Sequence, residues 1–302
     1  MKRNFATAIV FVLSSAVLYA QVQERRAALS VLDAGERPMT TAGMATATEL
    51  MERFQTQQLE RKALLLDATS TAIVFAAAGH ILGANNQVVW RSDVQFANYR
   101  STAQKVAVGF LSAGVPNGSK IPKILTIPAM TVVFYRDFVG SQLLESGLGS
   151  ILAIGVLSDN VTPDTSASID GGSRIYTTNS SGGSLNQFFP AVPVNDLFGG
   201  GRGVSMGLRQ DTVFRTNVGV ANFDTAVAHT FSVRIVGNGT SNTSSVTVPP
   251  LSMMQVPAPG GNFGDVFVQF DAPAGNYTWS AYGATVDGGT SDGWSVHAAL
   301  TF

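Results

Sequence analysis

The sequence predicts a mainly β chain, two tandem sandwich units behind a secretory leader and a short charged helical segment. Three observations lead there. From Thr69 onward apolar residues alternate with period two, and blocks of letters recur in the same order in the two halves. The composition is 45% hydrophobic but only 13% charged, with 31 glycines. Low charge with abundant Gly and Asn suits twisted sheets joined by tight turns, because both residues tolerate the positive φ that such turns require. A net charge of −1 offers no basic stripe for a phosphate backbone, so nucleic acid is not an expected partner. The absence of cysteine excludes disulfides, thiolate metal sites and a cysteine nucleophile.

Residues 1–20 begin with Lys2 and Arg3, continue as an uncharged apolar run from Phe5, and end on the small residue Ala20. This is the layout of a signal peptide, with cleavage expected after Ala20. The competing reading, an uncleaved anchor, needs a longer apolar run. No later stretch is apolar enough to span a bilayer. The mature chain is therefore expected to be secreted, periplasmic or on the cell surface, with no transmembrane span. Asn-x-Ser/Thr triplets at Asn117, Asn160, Asn179, Asn238, Asn242 and Asn276 arise readily in such a composition and carry no weight.

Residues 21–68 concentrate charge. Thr46 stands three residues before Glu49, a capping-box spacing, and Glu49 four before Arg53. A helix is expected over about 48–66. Its apolar residues share no narrow stripe, so it is read first as a spacer; docking on the first unit or pairing with another copy are the alternatives.

The first unit, 69–185, carries "WRSDVQFANYRS" and the second, 186–302, carries "FRTNVGVANFDT". Trp90, Val94 and Phe96 share one parity, as do Phe214, Val218 and Val220, so each stretch reads as a half-buried strand with an aromatic anchor. Asn98 and Asn222 close these strands. An Asn there can bond its own backbone two residues on and start a turn. The following strands alternate too, with Val106, Val108 and Phe110 in one half and Phe231, Val233 and Ile235 in the other. "TIPAMTVV" answers "TVPPLSMM", and Tyr176, Gly182, Gly183 and Phe188 match Tyr282, Gly288, Gly289 and Trp294 in spacing. A repeat of roughly 115 residues with short strands and frequent turns predicts two tandem immunoglobulin-like β-sandwiches with separate cores. A single barrel is the competing arrangement. "IVFAAAGH", "QFFPAVPV" and "WSVHAALTF" look alike three times for two units, which leaves the joint near residue 186 ill defined.

These strand letters, with "QFFPAVP" and "FRTNVGVANF", resemble the tandem immunoglobulin-like repeats of uncharacterised exported bacterial proteins. The resemblance covers about residues 70–302 and implies a fold; it implies no functional residue.

Few constellations suggest chemistry. "GVSMG" matches the nucleophile-elbow letters around Ser205, but that motif needs a strand entering and a helix leaving. His80, His229 and His297 are scattered and read as packing residues. "SAGVPNGSK" around Lys120 lacks phosphate-loop spacing. Asp159, Asp164 and Asp170 share one loop and could supply oxygens to Ca²⁺, although the spacing is not that of an EF-hand. Tyr277 and Trp279 share a strand face opposite to Tyr282. If Tyr282 points inward, they form an exposed platform on which sugar rings can stack; with the parity reversed they fill the core. The expected function is an exported, non-catalytic binding or structural module without a cofactor. Polysaccharide binding through Tyr277 and Trp279 is the alternative, and a serine hydrolase at Ser205 stands third.

Overall fold

Alternating apolar strands need a second layer to cover them, and each half of the chain supplies its own. A computed structural model describes residues 30–33, 40–41, 45–62, 70–82, 88–178, 183–197, 199–290 and 292–300. The expected leader with its cleavage site and the Asn179 triplet lie outside the described residues. The chain is mainly β. It begins with β1 (Ser30–Asp33), β2 (Thr40–Thr41) and α1 (Ala47–Lys62). The first unit follows as β3 (Ala72–Leu82), β4 (Val88–Asn98), β5 (Gln104–Ser112), β6 (Lys123–Ile127), β7 (Thr131–Tyr135), β8 (Gly147–Val156), β9 (Ile169–Thr178) and β10 (Ser184–Pro193). The second is β11 (Arg202–Gln210), β12 (Phe214–Asn222), β13 (His229–Gly237), β14 (Thr240–Val248), β15 (Ser252–Pro257), β16 (Gly264–Asp271), β17 (Trp279–Asp287), β18 (Gly293–His297) and β19 (Ala299–Leu300). No helix among the described residues is long and apolar enough to cross a membrane.

The two units repeat one topology. In the first, β7-β4-β9-β10 form one layer and β3-β8-β5-β6 the other; in the second the layers are β15-β12-β17-β18 and β11-β16-β13-β14. The last strand of each unit changes layers. β10 pairs with β9 and then, from Ala191 to Pro193, with β3. Likewise β18 pairs with β17, and β19 with β11. The first unit goes further, because the end of β3 also pairs with β4, so that β3, β4, β9 and β10 close a small ring. β1 and β2 extend this sheet at its two ends.

Register detail repeats as well. The β3–β8 ladder slips between Phe75 and Ala78, and the β11–β16 ladder between Ser205 and Leu208, so each unit carries a bulge at one place. Asn98 Nδ2 donates to the carbonyls of Thr102, Ile127 and Pro128, while its Oδ1 accepts from Arg100 N–H. Asn222 does the same with Val227, Val248, Pro249 and Asp224 N–H. Each buried amide thus pins a turn to the opposite layer.

The letter match of Tyr176 with Tyr282 is out of register. Asn98 faces Ile169 and Asn222 faces Trp279. Counted from these pairs, Tyr282 occupies the place of Gly172, and Tyr176 that of Val286. Trp294 corresponds to Gln187 rather than Phe188, since Trp294 faces Thr285 and Gln187 faces Ile175. Ladder pairing, not letter identity, sets the register of a strand. The expected joint near residue 186 falls inside β10, which by its pairing closes the first unit.

Burial overturns the expectation of two isolated interiors anchored by Trp90 and Phe214. One core lies within the first unit around Phe75, Phe96, Phe110 and Phe138. Another lies within the second around Phe231, Phe270 and Trp279. A third lies between the units and takes in Val74, Ala76, Leu111, Phe189, Phe223, Met253 and Tyr282. Trp90 is half-buried against this third cluster, and Phe214 is half-buried on the surface of the second unit. Both lie near the starts of their strands, and the core anchors sit further along at Phe96 and Val220.

The helical segment is docked, which corrects the spacer reading. The expected capping box is present: Thr46 N–H donates to Glu49 Oε2 at 2.7 Å, and Glu49 N–H to Thr46 Oγ1 at 3.2 Å. Ala47 N–H also reaches Lys120 O, 2.8 Å away. From that start Leu50, Met51 and Phe54 enter the inter-unit cluster. Asn117 fixes the same region, donating to Ser112, Val115 and, across the units, Leu251 carbonyls.

Candidate functional site

The side chains singled out from the sequence are mostly absorbed by structure. Tyr277 is 5% exposed and Trp279 fully buried, so they form no platform. Trp279 packs on Phe231 with centroids 5.3 Å apart, and Tyr277 lies flat on His229 at 3.6 Å while donating to Pro273 O. Parity places them outward only where a single face of β17 is covered. Tyr282 is indeed buried, but in the inter-unit cluster, 5.0 Å from Phe189 and donating to Gln255 Oε1. Both faces of β17 are therefore interior. Burial holds the Tyr282 phenol well above its usual range.

The three loop aspartates do not converge. Asp159 caps its own turn through Val161 N–H, Thr162 N–H and the Thr162 hydroxyl, and these bonds hold its carboxyl near 2. Asp164 accepts from Arg100 Nη1 at 2.6 Å and from Ser166. Asp170 accepts from Gly171 N–H and the Tyr99 hydroxyl. Among the described residues no group of three or more His, Cys, Asp or Glu could hold a metal ion. The Ca²⁺ expectation is thereby corrected.

Ser205 is no nucleophile elbow. It lies inside strand β11, fully buried, and its hydroxyl donates to Val296 O at 3.0 Å. A bulge follows, then more strand, where the motif requires a helix. His80 pairs with Asp137 and His229 with Asp224, both at 2.8 Å. His297 meets the buried Ser280 hydroxyl at 3.0 Å, and desolvation lowers its pKa. The first two tie a strand to a neighbouring turn, and the third joins β18 to β17.

The structure instead gathers a groove of about 860 Å³ on the second unit, lined by Met206, Phe214, Phe267 and Trp294 among others. The bulge builds it. Gly207 sits at φ +74°, a region L side chains rarely adopt, and its carbonyl accepts the Trp294 indole N–H at 2.8 Å. That bond holds the indole edge-on to Phe214, centroids 6.1 Å apart. The Arg209 guanidinium covers the Phe214 ring at 4.5 Å and is itself held by Asp211. Phe267 stands beside Val236 on the next strand. Trp294 and Phe267 are 38% and 37% exposed, and Met206 is 65%.

Phe267 was legible in principle. In β16, Val266, Val268 and Phe270 point inward, so Phe267 is an aromatic on the outward parity of "GDVFVQFD", between Asp265 and Gln269. Trp294 was not legible, because its place depends on the β17–β18 register and on the carbonyl of a bulge. The first unit uses the same places differently. By the shared register Ala76 and Ala77 replace Met206 and Gly207, and both lie under the inter-unit cluster. No protein-family model matches the chain, and no curated protein is similar to it.

Proposed function

We propose that the chain is an exported, non-catalytic binding module of the cell envelope or extracellular space, built from two tandem immunoglobulin-like sandwiches, with its ligand face on the second unit. The observation that carries this is the contrast between the outer sheet faces of the units. In the first, Val74, Ala76, Leu111, Leu152 and Ile154 are buried against α1 and the second unit. In the second, the equivalent face is polar, with Arg202 paired to Asp271, except where Met206, Phe267 and Trp294 form the groove. An exposed indole held in a concave site by a fixed bond, beside exposed Phe267, favours binding, since a preorganised surface loses less entropy when it docks. The non-catalytic reading draws support from the bonding of Ser205, His229, His297 and the loop aspartates into the frame. Fractionation of a bacterial host expressing the full chain tests the export arm. Mature protein beginning at Gln21 outside the cytoplasm is expected, and unprocessed cytoplasmic chain would refute export. A pulldown from envelope material, compared between wild type and a Phe267→Ala variant, tests the binding arm.

A further inference from the structure

We infer that the groove on the second unit binds a neutral glycan, its sugar rings stacking on Trp294 and Phe267; this rests on the binding-module reading above. A pyranose ring with equatorial hydroxyls presents flat C–H faces and a polar edge. Its complement is an exposed aromatic surface rimmed by free hydrogen-bonding groups, which is what the groove offers. Trp294 is held by its N–H bond to Gly207 O, so the indole does not have to be ordered by the ligand. Phe267 lies on the sheet face beside Met206 and Val236.

The rim supplies the polar partners. Asn238 and Asp265 line the groove, and neither side chain makes a hydrogen bond among the described residues. Other aspartates behave otherwise: Asp159, Asp164, Asp211, Asp224 and Asp287 all accept backbone N–H bonds. Asp265 therefore offers an open acceptor for hydroxyls, and its charge disfavours acidic polymers. Arg209 is already neutralised by Asp211, which raises its pKa and leaves no free cation to attract a uronate. A second copy of this chain is a poorer occupant. The sheet that covers the first unit's outer face is β12-β15-β17, and its counterpart in another copy, β4-β7-β9, carries Arg91, Gln95 and Arg174, the last paired to the buried Asp93.

The test uses the mature protein with cellohexaose and chitohexaose in titration calorimetry, polygalacturonate as acidic control, and Trp294 fluorescence as reporter. Binding of at least one neutral oligosaccharide is expected, with an emission change. Phe267→Ala and Trp294→Ala should each weaken it tenfold or more, and Trp294→Phe, which keeps a stacking ring but loses the N–H bond to Gly207 O, should restore part of the affinity while removing the emission change. Phe267→Ala lies on an exposed face, so it keeps the test valid if Trp294→Ala folds poorly. Failure of both hexasaccharides to bind overturns the proposal, as does binding that Phe267→Ala and Trp294→Phe leave wholly unchanged, spectrum included. If no glycan binds but Phe267→Ala abolishes capture of an envelope protein, the glycan inference falls and the binding reading stands. If neither glycan nor envelope material is retained, both fall.

Discussion

Truncating Phe189 to Ala removes the first unit's ring from its edge-on contact with Tyr282 of the second, 5.0 Å away. Phe189 is 4% exposed and Tyr282 2%, so the cavity opens inside the inter-unit cluster, where little can collapse into it. A buried Phe→Ala change costs about 3–5 kcal/mol. The aromatic pair itself should contribute about 0.5–1.5 kcal/mol of coupling, measurable in a double-mutant cycle with Tyr282→Leu. If the third core joins the units into one cooperative block, calorimetry shows a single transition. For a block of this size each kcal/mol lowers Tm by about 2–4 °C, so the shift should be roughly 6–20 °C. Two resolved transitions in the wild type, only one of them moved by Phe189→Ala, would show instead that the units unfold independently.

Three further outcomes are expected. Asn222→Ala removes three donated bonds and one accepted bond at a buried corner; at about 0.5–1.5 kcal/mol each, the loss should be roughly 2–6 kcal/mol by urea denaturation. A loss below about 1 kcal/mol would show that the turn backbone holds the corner alone. Met51→Ala, at a fully buried position on α1, should cost about 2–5 kcal/mol and speed amide exchange over residues 47–56 ahead of the sheets. His297 has a folded pKa below its ordinary 6.5, so below 6.5 the unfolded chain binds the proton more readily than the folded one. Its contribution is thus complete above that value and is lost as pH falls beneath it; His297→Gln should flatten the stability profile there, and an unchanged slope would count against the assignment.

How much was legible follows the range of the interactions. The strands, their facing, the Asn98 and Asn222 turns and the Thr46–Glu49 cap were readable because each depends on residues a few positions apart. Period-two alternation reports which face of a strand is apolar, and an Asn bonding two residues on is a local event. The repeat was legible for the same reason, since the Asn turns after β4 and β12 and the short connections β6–β7 and β14–β15 recur, although the β5–β6 loop is longer than its counterpart. The register of β9 against β17 was not, because the loops before them differ in length and letter identity suggested the wrong alignment.

What lies beyond that range required the tertiary structure. An apolar strand face looks the same in sequence whether it meets its own unit's second layer or a neighbouring unit. For that reason Tyr282 and Trp279, on opposite faces of β17, could not be assigned to two different interiors by parity. The groove depends on a bulge, a left-handed Gly207 and an indole arriving 87 residues later. Sequence alone determined that this chain alternates, turns and repeats; which surfaces found each other, and which aromatics were left facing water, was decided by packing, where distance along the chain no longer measures distance in space.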